Sequence, residues 1–295
     1  AVSIWNVGIK TGAAQNMVAL GFIEEKFGKT VTWSEWFLYA APFSIIMSIV
    51  LFFIMIKLIK PETDVIEGGK EVISKQLAQL GPLKGSEIRL IIISITLLFL
   101  WATEGALHPF DTTTVTIIAI ALLLAPKIGV YSWSEVERLI PWGTIIVFSV
   151  GIALGSVLLN TQGAQWLSDT TFGTLGLDSM PLLATIAVVT LFNILIHLGF
   201  ASATSLASAL IPVFIVLAST ITADGDQQIG FVLIQQFVIS FGFLLPISAP
   251  QNMLAYGTGA FTTKDFLKSG IPLTIIAYIL VMIFSATYWQ WIGLL

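Results

Sequence analysis

Apolar runs of membrane-crossing length alternate along this chain with short polar clusters, and no stretch shows period-two alternation. The pattern predicts an all-α integral membrane protein rather than a β-barrel. Residues 1–9 read as an apolar half-helix, Lys10 to Asn16 as a break and Met17 to Phe27 as a second half-helix, so that 1–27 crosses once. Residues 33–60 form the next helix, with Thr32 as N-cap, Trp33 and Trp36 as interfacial anchors, and Lys57 and Lys60 at its far end. Residues 61–87 turn to Gly, Lys, Glu and Gln. Val72, Ile73, Leu77 and Leu80 share one face there, which suits a short surface helix in a linker.

Beyond the linker, the runs Ile88–Thr103, Thr114–Ala125 and Trp142–Leu159 read as helices, the last with Gly143, Gly151 and Gly155 for close contact, and a Gly-rich surface follows to Pro181. Residues 182–220 form two apolar arms around the small polar tip Gly199 to Ser205. Each arm is about 16 residues, short of the ~20 of a spanning helix, so a re-entrant hairpin is expected. Ile229–Leu245 then enters, Pro246–Asn252 breaks, Met253–Phe261 completes the crossing (229–261), and 271–292 is the last helix.

The two breaks resemble each other. Gln15-Asn16-Met17-Val18-Ala19-Leu20-Gly21 matches Gln251-Asn252-Met253-Leu254-Ala255-Tyr256-Gly257 at five of seven positions, and Thr32 to Leu38 with Pro42 resembles Thr262 to Leu267 with Pro272. Paired interrupted helices in two halves point to the binding site of an inverted-repeat secondary transporter. The division is then 1–60, the end of a first repeat; 61–87, the linker; and 88–295, the second repeat. The chain begins within an apolar segment without Met, which reads as a fragment whose first repeat lacks its earlier helices.

Composition adds that 56% of residues are hydrophobic and 10% charged, far from the ~25% charged of soluble domains. Net charge of −4 gives no basic surface for nucleic acid, and the absence of cysteine excludes disulfides and thiolate metal sites. Of the thirteen Lys and Arg, all but Lys10, Lys26 and Lys29 fall on one side when spans alternate from the linker. That side is cytoplasmic by the positive-inside rule, the C-terminus is external, and the two broken helices run in opposite directions.

Backbone freed at a break cannot be satisfied by lipid, so both breaks must line a polar cavity. Half-helices starting near Asn16 and Asn252, and the tip at Ser202 to Ser205, would aim N-terminal N–H groups at it, which suits a carboxylate or another oxyanion. Pro246 and Pro250 could merely kink a helix, but the break at 10–16 has no proline. Lys10 sits within the bilayer, where a lysine costs about 2.5–3.5 kcal/mol on insertion scales, and is a functional candidate beside the alternative that it snorkels to an interface. His197, the ionisable side chain of the hairpin, could supply a second positive charge, couple a proton, or only pack. Nothing resembles a nucleophile–base pair, phosphate loop or zinc motif, so no enzyme is expected.

Gly12-Ala13-Ala14-Gln15-Asn16, Ser248-Ala249-Pro250-Gln251-Asn252 and Ser202-Ala203-Thr204 resemble the two loops and one hairpin tip of the divalent anion/sodium symporter family, the INDY-type di- and tricarboxylate transporters. The chain looks like about the last 60% of a member, without the first hairpin. The resemblance implies substrate binding by Ser202, Ala203, Thr204, Ser248, Ala249, Pro250, Asn252, Thr11, Gly12 and Asn16, and a homodimer through the helices flanking the linker. Ala203 replaces the tip asparagine that in the family helps hold sodium, while Lys10 and His197 are similar in placement to the two sodium sites. The chain therefore looks closest to the sodium-independent dicarboxylate exchangers, such as plastid 2-oxoglutarate/malate translocators, with fixed positive side chains in place of sodium. The implied function is exchange of dicarboxylates such as succinate, malate or 2-oxoglutarate by alternating access. A sodium-coupled symporter, with sodium on the Gly12 and Ala249 backbone, and an anion channel are the alternatives.

Overall fold

The structure is a computed structural model that describes residues 1–59 and 68–295. The end of the 33–60 helix and residues 61–67 of the expected linker lie outside the described residues. In chain order the helices are α1 (Val2–Gly8), α2 (Ala14–Phe27), α3 (Trp33–Leu58), α4 (Gly69–Leu80), α5 (Gly85–Ala102), α6 (Thr112–Leu124), α7 (Trp133–Val136), α8 (Trp142–Asn160), α9 (Gly163–Phe172), α10 (Leu182–Ile196), α11 (Ala203–Ile221), α12 (Gly225–Ile239), α13 (Pro250–Gly257), α14 (Thr263–Ala286) and α15 (Tyr288–Trp291). Six helical stretches among the described residues are long and apolar enough to cross a membrane, namely α3, α5, α8, Leu182–Gly199, α11 and Thr263–Trp291. The protein is an all-α membrane protein, as its apolar runs dictate.

The chain divides into two units. One holds 32–34 and 59–141. Within it α5 packs on α6, with the Trp101 indole donating to Thr116 Oγ1 at 3.1 Å. The buried Glu104 carboxylate accepts from Trp33 N at 2.8 Å, Thr112 N at 3.0 Å and Thr112 Oγ1 at 2.7 Å, and so caps the first turns of α3 and α6 together. Glu104→Ala leaves three donors without their acceptor, and a loss of about 2–4 kcal/mol is expected as a lower apparent melting temperature in detergent. α4 has no buried residue and exposes Val72, Ile73, Leu77 and Leu80.

The other unit holds 1–31, 35–58 and 142–295 and is built around α11, which packs on α2, α8, α9 and α12. Every residue of α12 from Ile229 to Ile239 is buried, and Phe43 lies among Phe241, Phe284 and Trp289. α8 meets its neighbours through glycine, because a Cβ at Gly151 would lie 2.3 Å from Ser208 Oγ and one at Gly155 would lie 2.1 Å from the Phe22 ring. Pro42 inside α3 has no N–H to give the Leu38 carbonyl four residues back. Tyr288 Oη donates to that carbonyl at 2.8 Å, and the Trp289 indole donates to Tyr39 O at 2.8 Å. Tyr288→Phe is expected to lower stability by about 1–2 kcal/mol, again read as melting temperature; an unchanged value would mean that the freed carbonyl finds another donor.

Several boundaries differ from the sequence reading. The hairpin arms, read as about 16 residues, run to Leu182–Gly199 and Ala203–Ile221 because a 3-10 turn, His197–Gly199, prolongs the first arm and α11 continues past Ser219. The stretch read as Gly-rich surface contains α9, whose Ala164, Ser168 and Phe172 recur every four residues on one buried face. The helix expected from 271 starts at Thr263, where Thr262 and Asp265 make a capping box, and runs unbroken through Pro272. Asp224 is the N-cap of α12 and accepts from Asp226 N at 2.9 Å. Beside it Lys29 Nζ donates to Asp226 Oδ1 at 2.6 Å, a contact that holds the Lys29 pKa above its ordinary value although both groups are exposed.

Candidate functional site

The two interruptions share one geometry. Each is a 3-10 turn, Lys10–Gly12 or Pro246–Ser248, followed by one extended residue, Ala13 (φ −152°, ψ 144°) or Ala249 (φ −152°, ψ 141°), from which the next helix starts. Gly12 N donates to Ile9 O at 2.9 Å and Ser248 N to Leu245 O at 3.1 Å; Asn16 N donates to Ala13 O at 3.2 Å and Asn252 N to Ala249 O at 3.1 Å. The helices therefore resume earlier than expected, at Ala14 and Pro250 rather than Met17 and Met253.

Asparagine closes each break. Asn16 Nδ2 donates to the carbonyl of Asn6 at 2.8 Å, ten residues upstream, and Asn252 Nδ2 donates to Gly242 O at 2.7 Å, also ten upstream. Asn16 Nδ2 further reaches Ile9 O at 3.2 Å and Lys10 O at 3.3 Å, and its Oδ1 accepts from Gln236 Nε2 at 3.1 Å. These carbonyls end a helix whose ladder stops, and in an apolar core each needs a donor. The Trp36 indole supplies another, to Val7 O at 2.9 Å.

Glutamine, the neighbour of each asparagine, ties one break to the other half. Gln15 Nε2 donates to Ser240 Oγ at 3.2 Å, and Gln251 Nε2 donates to Ser3 Oγ at 3.0 Å. Ser3 Oγ in turn donates to Asn252 Oδ1 at 3.2 Å.

Between the breaks and the hairpin tip lies a cavity of about 720 Å³. Gly12, Ala13, Ala14 and Gln15 of the first break face it, as do Ala249, Pro250 and Gln251 of the second, and Ser202 to Ser205 of the tip. Gly143 and Thr144, from the first turn of α8, complete a set of four helix N-termini, with Asn6, Val147 and Phe148 on the walls. No charged side chain is among the lining residues. Pro250 has no N–H, and Asn16, Asn252 and Ser205 already spend theirs on Ala13 O, Ala249 O and Ser202 Oγ. The remaining first-turn N–H groups and the hydroxyls of Thr144, Ser202 and Thr204 give the cavity its positive character. Ser202 also caps α11, accepting from Ser205 N at 3.3 Å.

The residues singled out in the sequence divide between the cavity and its support. Gly12, Ser202, Ala203, Thr204, Ala249 and Pro250 line it. Asn16 and Ser248 are buried away from it, and Asn252 is engaged as a staple, with Thr11 also outside the lining. Lys10 and His197 are both buried, at 4% exposure, and neither lines the cavity. The Ser248 backbone lies against the His197 ring outside hydrogen-bond geometry, and both ring nitrogens are buried without a partner among the described residues. The Ala249 carbonyl accepts from the N–H groups of Asn252 and Met253, so one of the backbone oxygens considered for sodium is already part of the α13 ladder.

Asn6, Gln15, Gln251 and Thr144 line the cavity without having been singled out as binding residues, whereas Ser205 belongs to the tip that was. Gln15 and Gln251 carried a signal, as members of the repeated Gln-Asn-Met. Thr144 carried a weaker one, as a small polar residue opening a helix just after Pro141.

Two interrupted helices and a helical hairpin that turn their N-termini to one cavity define a membrane protein of the broken-helix type. The chain belongs to the family described as "Sodium:sulfate symporter transmembrane region", which matches residues 1–295. It is 47% identical over 293 residues, 99% of this chain, to a protein of Cupriavidus necator described as a membrane protein. It is 24% identical over 95% of its length to the sodium-dependent dicarboxylate transporter SdcS of Staphylococcus saprophyticus. To the L-tartrate/succinate antiporter of Escherichia coli it is 26% identical over 97% of its length. It covers 57%, 56% and 57% of those three relatives.

Proposed function

We propose that this chain is the substrate-binding part of a secondary active transporter that exchanges small dicarboxylates by alternating access. The observation that carries the reading is the convergence of four helix N-termini on a cavity whose lining is uncharged and carries the hydroxyls of Thr144, Ser202, Thr204 and Ser205. Such a surface holds a carboxylate by N–H and hydroxyl groups while leaving it able to depart. Relatives described as carboxylate transporters and antiporters agree with it.

Lys10 and His197, buried behind the lining, balance the dianion's charge when both are protonated. The empty and the occupied protein then differ in buried charge, and crossing over is easier with the dianion bound, so exchange results rather than net uptake. The two breaks sit in oppositely directed halves, the hairpin re-enters from one side, the linker is cytoplasmic and the C-terminus external. The full-length protein assembles as a homodimer through α3 and α5. Sodium coupling is the second reading, favoured by the sodium-dependent relative.

The test is labelled succinate uptake into liposomes bearing the full-length protein, with and without internal unlabelled succinate, in sodium and sodium-free buffer. Exchange predicts uptake that needs internal substrate and ignores sodium. Uptake into empty vesicles driven by a sodium gradient would replace the reading with symport. Lys10→Ala is expected to lower sodium-free counterflow at least tenfold, the factor that about 1.4 kcal/mol of lost charge stabilisation gives.

A further inference from the structure

Hydrogen-bond directions in the second break follow from one fixed point. The Gly242 carbonyl only accepts, so the Asn252 group 2.7 Å from it is the Nδ2 amide, and Asn252 Oδ1 points the other way. Ser3 Oγ lies 3.2 Å from that oxygen and must donate its single proton to it. Ser3 Oγ is then an acceptor toward Gln251, 3.0 Å away, and the Gln251 group facing it is Nε2. Among the described residues Gln251 Oε1 is left without a protein partner, on a side chain that lines the cavity.

The first break lacks this constraint. Gln15 meets Ser240 at 3.2 Å, and Ser240 makes no other side-chain hydrogen bond among the described residues. That pair works with either end of the Gln15 amide forward. Asn6, whose side chain lines the cavity and whose carbonyl serves the first break, has Gly242 as its counterpart in the second, so no side chain stands at that counterpart position.

We infer that Gln251 Oε1 reads a hydrogen-bond donor on the substrate, and that the site prefers dicarboxylates bearing a hydroxyl next to a carboxylate over unsubstituted ones. The inference rests on the dicarboxylate reading above. A carboxylate held between the Gln251 N–H and the hydroxyls of the Ser202–Thr204 tip brings its neighbouring hydroxyl within reach of the Gln251 side chain. The hydroxyl gives Oε1 the proton it lacks, whereas an unsubstituted methylene leaves the acceptor to water. Ser3 and Asn252 act as positioning residues, because they stop the amide from turning its NH₂ group inward.

The affinities of L-malate and succinate, measured by isothermal titration on purified full-length protein, test this. The wild type is expected to bind L-malate about tenfold tighter than succinate, the factor of one neutral hydrogen bond in a partly wet site. Gln251→Leu should bring the ratio close to one. Ser3→Ala, which frees the amide to turn while keeping Gln251, should lower the ratio as well. Equal wild-type affinities, a ratio unchanged in both variants, or loss of both ligands together in both variants would overturn the inference. If the wild type binds neither compound, the dicarboxylate reading falls and takes this inference with it.

Discussion

Asn16→Ala is expected to destabilise the protein by about 3–5 kcal/mol and to lower its apparent melting temperature in detergent by roughly 10 °C. The side chain is fully buried and serves Asn6 O, Ile9 O, Lys10 O and the Gln236 amide at once. Alanine leaves those groups without their partner, and each one that water from the adjoining cavity does not reach costs about 1–3 kcal/mol before relaxation. Asn16→Asp should be no milder, because it puts a carboxylate oxygen where Nδ2 donates to three carbonyls and buries a charge, keeping only the bond from Gln236. Asn252→Ala has a single carbonyl to abandon, Gly242 O, at a half-buried position, and should cost less than half as much. Equal effects at the two asparagines would mean that the number of carbonyls served does not set the loss.

Gly270→Ala is expected to damage the second break more than any other single methyl group added there. A Cβ at Gly270 would stand 2.0 Å from Phe243 O and 3.0 Å from its carbonyl carbon, so backbone rather than a flexible side-chain end must move. The obstructed segment is tightly folded, with Gly242 N donating to Ser240 O at 2.9 Å and Phe243 N to Phe241 O at 2.7 Å. Movement there passes to Gly242, the carbonyl that Asn252 holds, and through it to the start of α13. Overpacking of this kind costs about 1–3 kcal/mol in stability, and ligand affinity should fall further, about tenfold or more. Gly257→Ala, with nothing within 4 Å of its Cβ, is the matched control and should change little. Titration of both variants with succinate separates them. Equal affinities would show that the break tolerates displacement.

Much of the fold was legible because lipid imposes it. Apolar runs such as Trp33–Leu58 and Trp142–Asn160 leave no alternative to a helix, and the repeated Gln-Asn-Met marked both interruptions. α9 escaped because glycines at 163, 173 and 176 suggested a surface, although its buried face already repeated every four residues. Within the site, the sequence could mark the tripeptide but not choose between its amides. Glutamine and asparagine are one residue apart, about 100° around a helix, and which faces the cavity depends on where the helix resumes. With α2 starting at Ala14 and α13 at Pro250, asparagine turns inward as a staple and glutamine faces the cavity. The contribution of α8 was illegible for another reason. Thr144 meets the tip near Ser202 only through tertiary packing of α8 on α11, which no local pattern encodes.

The central claim is that both breaks, the hairpin tip and α8 enclose one carboxylate site. This chain has no cysteine, so single cysteines at Ala14, Thr144 and Ala203, in full-length protein with any cysteine outside this chain replaced, report on the cavity one wall at a time. The rate of maleimide labelling, with and without saturating L-malate or succinate, is the measurement. The account predicts slower labelling at all three positions in the presence of either dicarboxylate and no change at Thr220→Cys, which lines a separate pocket. Labelling at Ala14, Thr144 and Ala203 that proceeds equally fast with and without dicarboxylate would contradict it.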